Sequence, residues 1–102
     1  MERRNLSEYM FIILTLLLTE KNHGYGLLLK ADELGFTLAH GSMYRNLSDL
    51  EEWGLIKMAD NDVDDPRRKV YEITSVGSVV ARSQLHIRKQ LFQNLTSFVE
   101  GV

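Results

Sequence analysis

From Ser75 to Glu100 no proline or tight-turn pair breaks the chain, and Thr74 or Ser75 stands ready as an N-cap, so the sequence predicts one continuous helix. Roughly 26 helical residues would extend about 40 Å. That is longer than a chain of 102 residues can cover with its own core. Within the run Leu85, Phe92, Leu95 and Val99 fall at a, a, d and a of a heptad frame. Leu91 and Phe98 lie beside them, and Arg88 takes the remaining d position. An apolar stripe on a helix that outreaches its own body needs a partner. An isologous two-fold dimer is the commonest solution, with a monomeric helix folded back as the alternative.

Ahead of that helix the apolar spacing predicts three shorter ones. Ser7 is an N-cap for a helix reaching about Glu20, with Glu8 in the first turn, where the helix dipole favours a carboxylate. Met10, Ile13, Leu14 and Leu17 make one face, while Phe11, Ile12, Leu16 and Leu18 make the rest apolar, so protein is expected on two sides. Asn22-His23-Gly24 punctuates the chain. Tyr25 to Leu34 reads as a second helix ended by Gly35 as a left-handed C-cap, with Leu28 facing the core beside Tyr25 or Leu29. Met43, Leu47 and Leu50 set an i, i+4, i+7 stripe for a third helix, stopped by Gly54. Leu55-Ile56-Lys57-Met58 and Lys69-Val70-Tyr71-Glu72-Ile73 are β-prone. They flank a polar stretch holding the only proline, Pro66, and predict two antiparallel strands joined by a loop.

Composition narrows the chemistry. The absence of cysteine removes disulfides, thiolate zinc sites and thiol nucleophiles together and sets the expectation of a cytoplasmic protein. Arg3 and Arg4 before the apolar run Met10 to Leu18 superficially resemble a secretory signal. Glu2 and Glu8 dilute that charge, no small-x-small cleavage site follows, and about nine apolar residues cannot span a bilayer that needs ~20. Asp60-Asn61-Asp62-Val63-Asp64-Asp65 alternates like a calcium loop, yet Asp65 stands where glycine is needed and Tyr71 where a bidentate glutamate is needed. No metal is expected there. Neither a nucleophile elbow, a zinc-protease helix, a phosphate loop nor a complete dinucleotide fingerprint occurs, so neither catalysis nor a cofactor is expected.

Helix, helix, helix, hairpin and long helix is the order of a winged helix-turn-helix domain. The expected fold is mostly α (α+β): residues 1–73 form the DNA-binding domain with a two-stranded wing, and residues 74–102 form a dimerisation helix. Four ordered segments add to this: His23-Gly24-Tyr25-Gly26-Leu27, Gly41-Ser42-Met43-Tyr44, Leu50-Glu51-Glu52-Trp53-Gly54-Leu55-Ile56 and Arg67-Arg68-Lys69-Val70-Tyr71-Glu72-Ile73-Thr74. In these the chain resembles the PadR family of bacterial transcriptional regulators. The resemblance implies a dimeric repressor-type regulator whose third helix enters the major groove and whose wing touches the backbone or minor groove. It implies a dimer made by the terminal helices, with Met10, Phe11, Leu14, Leu85, Phe92, Leu95 and Val99 at the seam. The single long C-terminal helix looks like the shorter subfamily, some of whose members bind aromatic or drug-like compounds between subunits. In such a dimer Phe11, Leu85, Arg88 and Phe92 approach the two-fold axis, an apolar set with one cation suited to a small aromatic effector. The alternative is a dry seam with Arg88 paired to a carboxylate or snorkelling outward.

With 14 acidic and 12 basic side chains and a net charge of −2, the chain as a whole exerts no pull on a polyanion, so positive charge must be concentrated locally. With its apolar stripe turned inward, the third helix is expected to show Ser42, Arg45, Asn46 and Asp49 outward. Arginine suits guanine, asparagine suits adenine, Ser42 suits a phosphate, and Tyr44 projects toward the backbone. Arg67-Arg68-Lys69 is the densest basic cluster, placed to bind phosphate beside the wing, or else simply solvated. His23 and Tyr25 either add phosphate hydrogen bonds or only cap and pack. The acidic stretch at the wing tip is expected to point away from DNA. Two third helices of a two-fold dimer sit roughly 34 Å apart, which predicts an inverted-repeat operator. The competing class is a winged-helix adaptor dimer that binds a partner protein rather than specific DNA, favoured by the near-neutral charge and the acidic wing.

Overall fold

Local hydrogen bonding decides where each element starts and stops. The structure is a computed structural model and describes residues 5–59 and 69–102. Its elements run α1 (Glu8–Leu17), β1 (Asn22–His23), α2 (Gly24–Glu33), a single 3₁₀ turn (His40–Ser42), α3 (Met43–Glu52), β2 (Ile56–Met58), β3 (Val70–Ile73) and α4 (Ser75–Glu100). The Ser7 hydroxyl accepts the Met10 N–H at 3.1 Å, the side-chain cap expected there, worth about 1 kcal/mol. α1 stops short of Glu20. The Leu18 N–H turns back to Thr15 O at 3.1 Å, and Thr19 Oγ1 donates to Leu16 O, taking carbonyls that a further turn would need.

Both glycines expected to stop helices do so in the left-handed region, Gly35 at φ 88° and Gly54 at φ 75°. After α2 the Gly35 N–H bonds Asp32 O and the Phe36 N–H bonds Ala31 O. After α3 the Gly54 N–H bonds Glu51 O and the Leu55 N–H bonds Leu50 O. These paired bonds answer the free carbonyls of each helix end. In the second of them both flanking leucines are buried, so the stop is fixed by packing as well.

The sheet differs from expectation. It has three strands, in the order β1-β3-β2, all antiparallel. Asn22 pairs Tyr71 and His23 pairs Val70 on one edge of β3, while Ile56, Lys57 and Met58 pair Ile73, Glu72 and Tyr71 on the other. A two-residue strand is too short to show alternation, so Asn22-His23 reads in sequence only as a break between helices.

Ile13 and Leu14 of α1, Leu27 of α2, Met43, Leu47 and Leu50 of α3, and Ile56 of β2 are the largest fully buried side chains. Each contributes about 1.5–3 kcal/mol relative to exposure. Met10 and Leu14, expected at a dimer seam, lie in this core at 4% and 0% exposure. They belong to the inward face with Ile13 and Leu17, so they are corrected from seam to core, and Phe11 alone of that trio keeps an open side.

The start of α4 belongs to the same core. Gly77 and Ala81 are buried, and α4 packs along α1. The expected division at residues 73 and 74 therefore falls inside one packed body. Beyond Arg88 every residue of α4 is exposed. The radius of gyration, 15.2 Å, exceeds the about 13 Å of a compact chain this long because that half projects.

Candidate nucleic-acid interface

The helix-turn-helix is α2 and α3 with the turn between them. Leu27, Leu28 and Ala31 of α2 and Met43, Leu47 and Leu50 of α3 seat the two helices against α1, which turns the opposite side of α3 to solvent. On that side Tyr44, Arg45 and Ser48 are exposed and Asp49 is half-exposed. Asn46 is not among them. It is 8% exposed, and its Nδ2 donates to Ser42 O at 2.7 Å. A position three residues after Met43 and four before Leu50 faces inward, and the amide can stay there because the Ser42 carbonyl accepts its proton. Asn46 is thus corrected from a base reader to a clamp on the first turn of α3. Ser48 carries little signal in the sequence, where it is a lone serine. Its place one turn beyond Tyr44 and Arg45 was the available clue.

Ser42 is half-buried and makes no side-chain cap. His23 does cap: its Nδ1 accepts the Gly26 N–H at 2.9 Å at the start of α2. The ring proton therefore sits on Nε2, the nitrogen left free to donate elsewhere. Tyr25, two residues on, is 57% exposed. Replacing His23 with alanine is expected to lower stability by about 1 kcal/mol and asparagine to restore most of it, because asparagine is among the best N-caps. Thermal melting decides this, and an alanine variant that melts with the wild type shows that the cap contributes nothing.

These groups converge. A Cβ on Gly24 would lie 3.5 Å from Tyr44 Cε1, so the ring of Tyr44 rests beside the start of α2. The pairing of His23 with Val70 sets the same turn next to Lys69 at the base of the wing. Arg67, Arg68 and the acidic stretch 60–65 lie outside the described residues. Burial first, then the Glu51 carboxylate and the Tyr44 phenol, push the Tyr71 phenol above its ordinary pKa, so it stays protonated beneath this surface.

At the other end of the body, Arg88 of α4 is engaged. It pairs with Glu8 of α1, and its guanidinium carbon sits 4.1 Å from the centre of the Phe11 ring. An open cleft of about 390 Å³ lies beside it, lined by Phe11, Leu85, Arg88, Lys89, Phe92 and Gln93. Among the described residues no group of three or more His, Asp or Glu is placed to hold a metal. No helix there is long and apolar enough to cross a membrane.

A short turn between two packed helices, an exposed polar face on the second, and a small antiparallel sheet beside it define a winged helix-turn-helix DNA-binding protein. Residues 13–83 match the transcriptional regulator PadR-like family, and the chain belongs to that family. Its members are transcription regulators and not enzymes. Similar solved structures include a PadR family transcription regulator from Clostridium difficile R20291, at 22% identity and a TM-score of 0.77, covering 91% of this chain and 99% of that one. A transcriptional regulator from Clostridium thermocellum matches at 26% identity and 0.72, covering 89% of each chain. RosR of H. salinarum matches at 22% identity and 0.68, covering 99% of this chain and 100% of that one. No curated protein sequence matches the chain.

Proposed function

We propose that this PadR-like regulator is a cytoplasmic homodimer that represses transcription by occupying an inverted-repeat operator. The observation that supports the reading is the exposed polar face of α3, with the Tyr44 ring beside the start of α2 and the His23–Val70 pairing bringing the base of the wing to that same turn, so that His23, Tyr25, Tyr44 and Lys69 can flank it. That surface offers phosphate-directed donors on the flanks and Arg45 and Ser48 at the centre, the division of labour that specific DNA binding uses. Arg67 and Arg68, which precede Lys69 in the sequence, are proposed to add phosphate contacts. Residues 1–73 do the binding, and α4 joins the subunits through Leu85 and, on its projecting half, Phe92, Leu95 and Val99, all exposed in the single chain.

The cleft beside Arg88 would admit a small aromatic effector. Arg88 is not a free cation, since Glu8 and Phe11 already hold it. An anionic aromatic molecule binds there by displacing Glu8, and a change in subunit angle then moves the two recognition helices out of register.

Titrating the protein against a labelled duplex of its own upstream DNA and a random duplex of equal length, at two salt concentrations, tests the reading. Preference for the upstream duplex, with affinity for both falling as salt rises, is the expected result. An anionic aromatic dye, anilinonaphthalene sulfonate, should release the bound duplex. Equal affinity for the two duplexes at low salt would leave an adaptor that binds a protein, and binding undisturbed by dye would remove the effector.

A further inference from the structure

The start of the recognition helix has no cap of its own. Neither Ala39, ahead of the 3₁₀ turn, nor Ser42, ahead of α3, makes a side-chain capping hydrogen bond. The turn is instead tied to α1, through a carbonyl rather than through the free N–H groups of the helix start. The Tyr9 phenol donates to the Ala39 carbonyl at 2.6 Å, and the same oxygen accepts the Ser42 N–H at 3.3 Å. This carbonyl is the first of the turn that leads into α3. Asn46 grips the next point along, Ser42 O.

The ring of Tyr9 packs half-buried against the hydrophobic core, so its hydroxyl is held at a set height above Ala39. Burial raises the phenol's pKa, which keeps the proton available for donation. The neighbouring Glu8 takes Arg88 of α4, so the same turn of α1 is anchored on its other side as well. α3 is about 15 Å long, so a tilt of roughly 4° at its start displaces its far end by about 1 Å. Recognition geometry tolerates about half of that.

We infer that Tyr9 is a positioning residue for DNA recognition: its hydrogen bond to Ala39 sets the angle at which α3 leaves the turn, and so where Arg45 and Ser48 meet the bases. The inference rests on the DNA-binding reading above. Tyr9 itself touches no DNA, and its contribution is to specific rather than general affinity.

Tyr9→Phe keeps the ring and removes only the donor, so the fold is retained. Hydrogen exchange on the free protein should quicken in residues 39–45 and stay unchanged in α1, α2 and α4. Preference for the upstream duplex over the random one should fall about five- to tenfold, the size of one hydrogen bond, with affinity for random DNA unaltered. Unchanged exchange at 39–45 overturns the tether, and so does acceleration spread over all helices, which is what a purely packing role gives. Localised acceleration with an unchanged preference ratio overturns the positioning role. A wild type without any preference overturns the DNA reading and the positioning role with it, while the exchange pattern still decides whether Tyr9 holds the turn.

Discussion

Gly77→Ala is expected to cost about 3 kcal/mol of stability, the upper range for forcing an extra methyl into a packed core. α4 begins by docking on the end of α3: the Thr74 N–H bonds Leu55 O at 3.0 Å, Thr74 Oγ1 donates to Gly54 O at 2.7 Å, and the same hydroxyl accepts the Gly77 N–H. This brings the Leu55 carbonyl against the helix at Gly77. A Cβ there would stand 2.0 Å from Leu55 O and 2.8 Å from Ile73 Cγ1. The first obstacle is backbone held by two helix ends, so it cannot swing aside as a side chain can. Alanine's better helix propensity returns about 1 kcal/mol at most, which the displacement outweighs. At roughly 4–8 °C per kcal/mol for a domain of this size, the melting temperature should fall by about 15 °C. Gly41→Ala is the control, since a Cβ there meets nothing within 4 Å, and it should stay within about 0.5 kcal/mol of wild type. Both melts belong at one protein concentration, because a dimer's melting temperature depends on it. A Gly77→Ala protein melting within two or three degrees of wild type would show that the junction yields.

What could be read from the sequence follows the strength of each periodic signal. α4 was legible along its whole length because nothing interrupts it and Thr74 caps it as expected. The stops at Gly35 and Gly54 were legible because only a left-handed residue closes those helix ends without strain. β1 was not, since pairing with β3 is a tertiary fact that two residues cannot announce. The inward face of α3 was read from its apolar members alone, and this hid Asn46, a polar residue whose spacing put it inside and whose partner is a backbone carbonyl four residues back. The inner face of α1, Met10, Ile13, Leu14 and Leu17, was legible from its spacing, but the apolar residues all round it hid that Met10 and Leu14 go to the body and not also to a partner. At the candidate interface, residue types were legible and directions were not. His23 spends one nitrogen on a cap, and Ser48 takes the outward place that Asn46 was expected to fill.

Phe92→Asp combined with Val99→Asp should turn the protein into a folded monomer and lower affinity for its operator at least about hundredfold. Phe92 is 61% and Val99 68% exposed in the single chain, so carboxylates there are solvated and disturb neither the core nor the helix. In a two-fold dimer each substitution enters the seam twice, and an unpaired charge buried there costs several kcal/mol. The seam therefore opens while the body stays intact. Loss of affinity follows from valency rather than from any change at α3: once one half-site is held, the second recognition helix of a dimer binds as an intramolecular event, and a monomer forfeits that gain. Affinity for a random duplex, carried by phosphate contacts of each subunit, should fall much less. Sedimentation gives the mass, circular dichroism the retained helix, and titration with the upstream duplex the affinity. Ser97→Asp, exposed on the opposite side of α4, should remain a dimer and bind normally. If the double variant stays dimeric, the seam lies elsewhere on the chain. If it becomes monomeric yet binds the operator as tightly as wild type, a single subunit reads the whole site, and the inverted-repeat geometry is wrong.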